Sequence, residues 1–318
     1  MSKEKIDLLV RKITAAKSIL IFGHKNPDGD SLASVLGLRH LIADNFGKTA
    51  DIIYDGNLPI SYDFLPGRMD FVYAEKLPDK KYDLVIISDT GSFVQLDSMQ
   101  QKFFDSATNT IKIDHHKTMD LLADVDIVDT DASSVCEIIY EIAHAAKWKI
   151  NADAATCLYS GIYTDAQGFS FIDDSKPLLI AAALVDLGAK PRSISEGLKV
   201  ATRGDIMAQA EVLADAEFFY NGQLAVASIP KALYKNLDSG ETEIVLFLRR
   251  IRGVECIAIL KEAHPEEIRV SLRSGKISVR EIAESFGGGG HDLSAGMKIF
   301  ANLPKAKKII VESFKGIL

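Results

Sequence analysis

Short apolar runs rich in β-branched residues alternate with helical patterns over the first two-thirds of the 318-residue chain. These runs are bounded by Asp, Gly or Pro and are predicted to be strands at residues 18–22, 50–54, 84–87, 111–113 and 125–128. Apolar residues recur at helical spacing between them, as in 32–43 and 135–146. Strands that are apolar on both faces and alternate with helices indicate an α/β fold with a mostly parallel sheet and helices on both faces.

The spacing of apolar residues changes near the middle of the chain. From about residue 152 it is helical, and a second, smaller α/β unit follows. We expect a catalytic domain at 1–188, a partly helical linker at 189–215 and a second domain at 216–318. A chain of 318 residues that is 47% hydrophobic is long enough to bury two ordinary cores.

Acidic and histidine residues gather where the predicted strands end. One cluster follows the first strand, in the motif His24-Lys-Asn-Pro-Asp-Gly-Asp-Ser31. The other acidic and histidine residues lie at the ends of later strands and of one helical segment. Because ligands of parallel sheets bind beyond the carboxyl ends of the strands, we expect these side chains to form one site. The set comprises His24, Asp28, Asp30, Asp89, Asp114, His115, His116 and Asp165.

This residue set matches the needs of a two-metal phosphoesterase. Such a site requires oxygen ligands, imidazoles and a carboxylate that bridges two ions ~3.5–4 Å apart. We expect one ion at His24 and Asp28 and the other at Asp30, His115 and Asp165, with Asp89 as the bridge. These six residues are the predicted metal ligands.

Each motif taken singly has a structural alternative. Asp30 or Ser31 could cap a helix that starts at Leu32, Asp89 could merely end a strand, and Asp165 could be a solvated residue at a helix end. The tripeptide Asp-His-His is a weak signal alone. Their joint arrangement, in order and at the strand ends of one sheet, favours the metal site.

The second domain carries a glycine run at 287–290, followed by His291. Gly288, Gly289 and Gly290 could present backbone N–H groups to an anion, and Arg273 at a strand end could contact phosphate through two hydrogen bonds. The alternatives are a flexible linker for the glycines and an exposed strand-end charge for Arg273.

Net charge and cysteine content indicate which binding partners and which compartment this chain fits. A net charge of −7 and a pI near 5.6 argue against broad binding to long nucleic acid. Three widely spaced cysteines fit a reducing compartment. No signal peptide or membrane span is evident, so we expect a cytoplasmic protein without membrane contact. The oligomeric state stays open, with a homodimer among the alternatives.

The motifs resemble those of a known family. His24 to Ser31, Ser88-Asp-Thr90, Asp114-His-His116 and Gly161-Ile-Tyr-Thr-Asp165 resemble the four ordered motifs of the DHH phosphoesterase superfamily. The segment 287–291 resembles the signature of the DHHA1 domain that accompanies many members. The resemblance covers nearly the whole chain and is greatest to the bacterial oligoribonuclease and pAp phosphatase branch, the nanoRNases.

The resemblance implies two Mn²⁺ ions, with Mg²⁺ or Co²⁺ as alternatives, held by the same six ligands. It implies a catalytic group of Asp89, Asp114, His115 and His116, in which Asp114 orients a ligand and His116 faces the substrate phosphate. It also assigns Arg273 and the Gly-His loop to substrate binding. Residues that depart from the family pattern are Lys117-Thr118 and Gln167, which bear on substrate preference.

The substrates implied are short RNA, cut to mononucleotides, and the mononucleotide bisphosphate 3′-phosphoadenosine 5′-phosphate (pAp), converted to AMP. Linear or cyclic dinucleotides such as pApA and cyclic di-AMP are the alternative enzymatic substrates. A metal-dependent nucleotide sensor without catalysis is the non-enzymatic alternative.

Overall fold

The computed structural model describes residues 2–318 except 57, 79, 118–119 and 238–240, and of residue 235 it describes the backbone only. The chain divides into two compact units, Met1–Val200 and Ala201–Leu318. The division falls within the interval 189–215 that the sequence suggests as a linker. Thr118, one of the departures from the family pattern, lies outside the described residues.

The first unit contains the predicted alternation of strands and helices. Its strands are β1 Ile19–Phe22, β2 Ala50–Tyr54, β3 Val72–Tyr73, β4 Leu84–Ser88, β5 Thr110–Asp114 and β6 Val125–Val128. Its α-helices are α1 Lys3–Ala15, α2 Gly29–Phe46, α3 Ser98–Ser106, α4 Val135–Ala145, α5 Ala152–Asp165, α6 Lys176–Asp186 and α7 Pro191–Leu198. Short 3₁₀ turns lie at 60–62, 68–70, 74–76 and 93–95.

The first sheet is parallel throughout, with strand order β3-β2-β1-β4-β5-β6. Alternate residues of β1 enter different cores: Ile19 and Ile21 pack with α1, α2, α4 and α5, whereas Leu20 and Phe22 pack with α3. Both faces are therefore covered, which is why the strands read as continuous apolar runs. The predicted fold class is confirmed.

The start of α2 differs from the alternative that the sequence suggested. The helix begins at Gly29, and Asp28 is its N-cap, with Oδ1 accepting a hydrogen bond from the Ser31 N–H at 3.0 Å. Asp30 lies in the first turn and is 2% exposed. The cap therefore uses one oxygen of Asp28 and neither Asp30 nor Ser31.

The second unit is smaller. Its strands are β7 Glu217–Phe219, β8 Leu224–Ile229, β9 Cys256–His264, β10 Glu267–Ser274, β11 Gly289–His291 and β12 Ser294–Ile299. Its helices are α8 Arg203–Ala214, α9 Thr242–Arg249, α10 Arg280–Ser285 and α11 Leu303–Ser313, with a 3₁₀ segment at Lys231–Asn236. The strand order is β11-β12-β10-β9-β8-β7, in which only the β8–β9 pair is parallel.

The glycine run forms part of this second sheet. Gly289–His291 is β11 and pairs antiparallel with β12, so the run is ordered by a strand partner and is not a linker. Gly290 has φ of 143°, and a Cβ there would lie 2.5 Å from the Ser294 carbonyl oxygen and 2.6 Å from the Ala295 Cα. The approach of β11 to β12 therefore requires glycine at this position.

Within the part of the chain that the structure describes, no helix combines the length and the apolar character needed to cross a membrane.

Candidate metal centre

The strand order brings the sequence motifs to one edge of the first sheet. β1 lies beside β4, and β5 follows β4, so His24, Asp89 and His115 come after adjacent strands. The order also reverses between β1 and β4, since β2 lies on one side of β1 and β4 on the other. Such a reversal opens a crevice beyond the carboxyl ends of the strands, which is where parallel sheets bind ligands.

Asp89 occupies the centre of this crevice. Its Oδ2 lies 3.5 Å from Nε2 of His24, and its Oδ1 lies 3.6 Å from Nε2 of His115 and 3.6 Å from Nδ1 of His116. The residue is 2% exposed, and its φ of 58° places it in the left-handed region. Strained backbone of this kind persists where the surrounding structure demands it and clusters at functional sites.

The potential ligand atoms form three overlapping groups, each with its atoms within 4.8 Å of one another. The first contains His24, Asp28 and Asp89. The second contains Asp30, His115 and Asp165, in which His115 Nε2 lies 3.5 Å from Asp165 Oδ2. Asp89, His115 and His116 form the third and connect the other two. The structure thus brings the six predicted ligands together, while their role as ligands stays a prediction.

Backbone carbonyl groups orient two of the imidazoles. Nδ1 of His24 lies 2.9 Å from the carbonyl oxygen of Lys25, and Nδ1 of His115 lies 3.2 Å from that of Ala132. A carbonyl oxygen only accepts, so each Nδ1 carries the proton and donates it. The lone pair of each neutral ring is then on Nε2, the atom that faces the carboxylates, as a metal ligand requires.

Asp114 holds His116 in a different way. Nδ1 of His116 donates to Oδ1 of Asp114 at 2.8 Å, and the backbone N–H of His116 donates to the same oxygen at 3.3 Å. Asp114 is fully buried, whereas His116 is partly exposed. Asp114 therefore fixes the ring of His116 at the edge of the cluster.

The first turn of α4 holds Asp30 from behind. Its two carboxylate oxygens accept hydrogen bonds from the N–H groups of Val135, at 2.6 Å, and Cys136, at 3.1 Å. The free N–H groups at a helix N-terminus favour a negative charge at this position. Helix α5 approaches so closely that a Cβ on Gly161 would lie 2.6 Å from Oδ1 of Asp30.

The electrostatics of the cluster suit a divalent cation. Burial raises the pKa of Asp30 to about 7, and the charge of Asp89 adds to this effect. Burial likewise raises the pKa of Asp165 to about 8, with further effect from Asp30. Burial opposes the positive charge of His115, yet Asp165, Asp30 and Asp89 raise its pKa to about 9. Such crowding of negative charge is what a divalent cation would neutralise.

A buried oxygen of Asp89 adds a geometric sign of fit. Among the described residues, Asp89 Oδ1 has no hydrogen-bond partner although it is shielded from solvent. Buried polar atoms are normally satisfied, and this one faces two imidazoles. Carboxylates and imidazoles together are ligands typical of Mn²⁺, Zn²⁺ and related ions.

The predicted substrate-binding residues lie in the second unit. Arg273, on β10, is paired in register with Ser294 of β12, and Ser294 is paired with His291 of β11. Directly opposed residues of antiparallel strands point to the same face, so these three side chains form one row. The sequence indicated Arg273 and His291 but not Ser294.

The same face continues two residues along each of these strands. There it carries Gly289, Gly296 and Ser271, again in register. A Cβ on Gly289 would meet no described atom within 4 Å, and one on Gly296 would approach only the Val270 carbonyl oxygen, at 3.7 Å. The row of polar side chains therefore borders a flat strip of backbone.

Supporting residues that sequence reasoning missed hold the loops of the metal centre. Gln100 donates from Nε2 to the carbonyl oxygen of Gly23 at 3.0 Å, just before His24. Asp120 accepts hydrogen bonds from Ser92 Oγ at 3.0 Å and from the Phe93 N–H at 3.2 Å, which ties the loop after β5 to the loop after β4. These contacts join residues distant in sequence, so periodicity carries no signal for them.

Comparison with known proteins agrees with this architecture. The family models of the DHH family, N-terminal domain, and of the DHHA1 domain match residues 18–162 and 221–316. The chain is 30% identical to the bifunctional oligoribonuclease and PAP phosphatase NrnA of Mycoplasma genitalium, over all of this chain and 99% of that protein. The chain belongs to the DHH family. The predicted family resemblance is confirmed.

One further curated relative and one solved structure are similar to this chain. A probable bifunctional oligoribonuclease and PAP phosphatase NrnA of Streptococcus mutans is 34% identical over 92% of this chain and 93% of that protein. An exopolyphosphatase-related protein of Bacteroides fragilis has the same fold, with a TM-score of 0.90 and 23% identity over 99% of this chain and 96% of that one. As a DHH protein, the chain is a metal-dependent phosphoesterase.

Proposed function

We propose that this DHH protein is a Mn²⁺-dependent phosphoesterase that hydrolyses short oligoribonucleotides to mononucleotides and pAp to AMP. The observation that carries the proposal is the set of three overlapping clusters of carboxylates and imidazoles, two of which contain the buried Asp89. The named activities of the Mycoplasma genitalium and Streptococcus mutans relatives, which align over nearly their whole lengths, support the substrate class. Its free cysteines and its nucleotide substrates fit a cytoplasmic enzyme.

In this proposal the six clustered residues hold two ions. His24 and Asp28 bind one, Asp30, His115 and Asp165 bind the other, and Asp89 binds both. When bound, the ions activate a water molecule and stabilise negative charge on the phosphoryl oxygens. The carbonyl groups of Lys25 and Ala132 keep the imidazole Nε2 atoms directed at the cluster, so the ligands are oriented before substrate arrives.

His116 positions the scissile phosphate. Asp114 fixes its ring through Nδ1, which leaves Nε2 free for an oxygen of the phosphate. The burial of Asp114 strengthens this contact, since a hydrogen bond to a carboxylate is stronger where water is excluded.

The second unit binds the part of the nucleotide away from the scissile bond. Arg273, Ser294 and His291 offer a guanidinium, a hydroxyl and an imidazole to a phosphate. The flat strip at Gly289 and Gly296 accommodates the plane of a base or ribose. A row of this kind recognises one nucleotide and suits short substrates.

A substrate panel tests the function. Purified protein is assayed with and without Mn²⁺ on pAp, on ribonucleotides of increasing length, and on pApA, cyclic di-AMP and pyrophosphate. We expect Mn²⁺-dependent release of phosphate from pAp and of mononucleotides from short RNA, with rates that fall beyond about five nucleotides. Hydrolysis of the dinucleotides alone would favour that substrate class instead. Tight binding of nucleotides without turnover of any of them would identify a sensor and refute catalysis.

The Arg273→Ala variant tests the second unit. Losing a charge-assisted contact worth about 1.5–3 kcal/mol should raise KM for pAp roughly ten- to a hundredfold with little change in kcat. Hydrolysis of a small artificial phosphodiester should be unaffected. Arg280→Ala is the matched control, because Arg280 lies on α10, which covers the opposite face of the same sheet. An unchanged KM in Arg273→Ala would contradict this role.

A further inference from the structure

Glu137 is a buried carboxylate to which the proposed mechanism gives no role. It lies in the first turn of α4 and its side chain is 1% exposed. Oε2 accepts hydrogen bonds from the N–H of Ser133 at 3.1 Å and from its Oγ at 2.7 Å, and Oε1 pairs with Nζ of Lys176 at 2.9 Å. A buried charge is tolerated only when it is paired and hydrogen-bonded, so these contacts account for its burial.

The contact with Ser133 exceeds what capping of α4 requires. Ser134 is the N-cap, and its Oγ already accepts a hydrogen bond from the Glu137 N–H at 3.1 Å. In a capping box the glutamate would return this contact to the N-cap N–H. Glu137 reaches one residue further, to Ser133, and so fixes the chain that leads into the helix.

Residues on both sides of Ser133 hold predicted ligands of the second ion. Ala132, immediately before it, supplies the carbonyl oxygen that faces Nδ1 of His115 at 3.2 Å. Two residues after it, α4 begins with the N–H groups that hold both oxygens of Asp30. A shift of the segment 132–136 would therefore displace Asp30 and His115 together.

The ligands of the other ion are held by different elements. Asp28 is fixed by its own cap contact with Ser31, and His24 by the carbonyl group of Lys25. The contacts of Glu137 with Ser133 and Lys176 reach neither of them. Loss of Glu137 should consequently affect the two ions unequally.

We propose that Glu137, with Lys176 as its counter-ion, is a positioning residue that sets the geometry of Asp30 and His115 for the second metal ion. The inference rests on the proposed two-metal function. It assigns to one buried carboxylate the orientation of two ligands that come from different parts of the chain. Glu137 affects the affinity for one ion, and it affects catalysis only by way of the binding of that ion.

Manganese titration of the metal-free protein tests the proposal. Calorimetry should resolve two ions in the wild type. In Glu137→Ala we expect one of them to bind about ten- to a hundredfold more weakly, a range typical for loss of a residue that orients a metal ligand, and the other to change by less than about threefold. Glu141→Gln is the matched control, because Glu141 contacts the same Lys176 Nζ, at 2.8 Å, but not Ser133.

Milder variants cover the case in which Glu137→Ala does not fold. Ser133→Ala removes only the hydroxyl contact, and Glu137→Gln keeps a side-chain oxygen as acceptor, so both should weaken the same ion by several-fold. Circular dichroism melts verify that each variant is folded.

The outcomes separate the two proposals. If the wild type binds two ions and the folded Glu137 and Ser133 variants bind both with the wild-type affinities, the role of Glu137 alone is overturned. Equal weakening of both ions would also overturn it, since that result indicates a general structural effect. A wild-type protein that binds no metal would overturn the proposed function itself.

Discussion

Gly161→Ala is the substitution for which the structure makes the sharpest prediction. Gly161 lies inside α5, where alanine would ordinarily stabilise the helix by about 1 kcal/mol. The added Cβ, however, would lie 2.2 Å from Sγ of Cys136 and 2.6 Å from Oδ1 of Asp30. Both neighbours are short, buried side chains on other helices, so neither can rotate into open space and any shift disturbs its own contacts.

The steric term should exceed the helix propensity. Overpacking of a buried site costs about 1–3 kcal/mol, and contacts this short belong at the upper end. The expected net loss is about 1–2 kcal/mol, which corresponds to a fall in melting temperature of about 2–8 °C for a unit of this size. Because Asp30 must move, affinity for the second metal ion should fall as well.

Thermal unfolding and Mn²⁺ titration measure both effects. Gly204→Ala is the control, since Gly204 is also helical and the nearest atom to its added Cβ is Thr202 Oγ1 at 3.6 Å, an ordinary contact. It should be neutral or slightly stabilising. Adding Cys136→Ala to Gly161→Ala should recover part of the loss as a coupling above about 0.5 kcal/mol. A Gly161→Ala protein as stable as the wild type, with unchanged metal affinity, would refute the packing argument.

Three further substitutions probe the first unit. Asp89→Ala should bind far less than the wild-type amount of Mn²⁺ and be inactive on every substrate, because both predicted ions share Asp89; elemental analysis showing full metal content would contradict this. Asp120→Ala should lose about 1–3 kcal/mol of stability in urea unfolding, because it leaves Ser92 Oγ without its acceptor. Asp51 is partly buried, which opposes its charge, but Lys80 holds the pKa of Asp51 below its usual value. The stability that this ion pair contributes is present above the pKa of Asp51 in the unfolded chain and is lost as the pH falls through the pKa of Asp51 in the folded protein. The Tm difference between wild type and Asp51→Asn should therefore vanish in acid. A difference that persists there would argue against the ion pair.

Local pattern was sufficient to predict most of the strands and the helices between them. The strands at 50–54 and 125–128 coincide with the predicted bounds, since each is marked by its apolar, β-branched residues and by the residues that flank it. The pattern did not predict β11, because a run of glycines has no strand propensity of its own. Its partner β12 orders it, through pairing that is decided by the tertiary fold.

The sequence by itself determined which side chains follow the ends of strands. His24, Asp89 and Asp114 come directly or closely after β-branched runs, and in a parallel sheet all such ends share one edge. This rule depends only on strand direction, which strand-helix alternation specifies. The candidate ligands and their order along the chain could therefore be proposed without any knowledge of contacts.

Only the tertiary structure decided which strands are neighbours. The placement of β1 between β2 and β4 brings Nε2 of His24 to 3.5 Å from Oδ2 of Asp89, and nothing local in the sequence specifies this strand order. The same holds for Glu137, whose role depends on Ser133, Asp30 and Lys176 meeting from three helices and a loop. Such contacts arise from side-chain packing between elements far apart in the chain, and packing is a property of the whole fold.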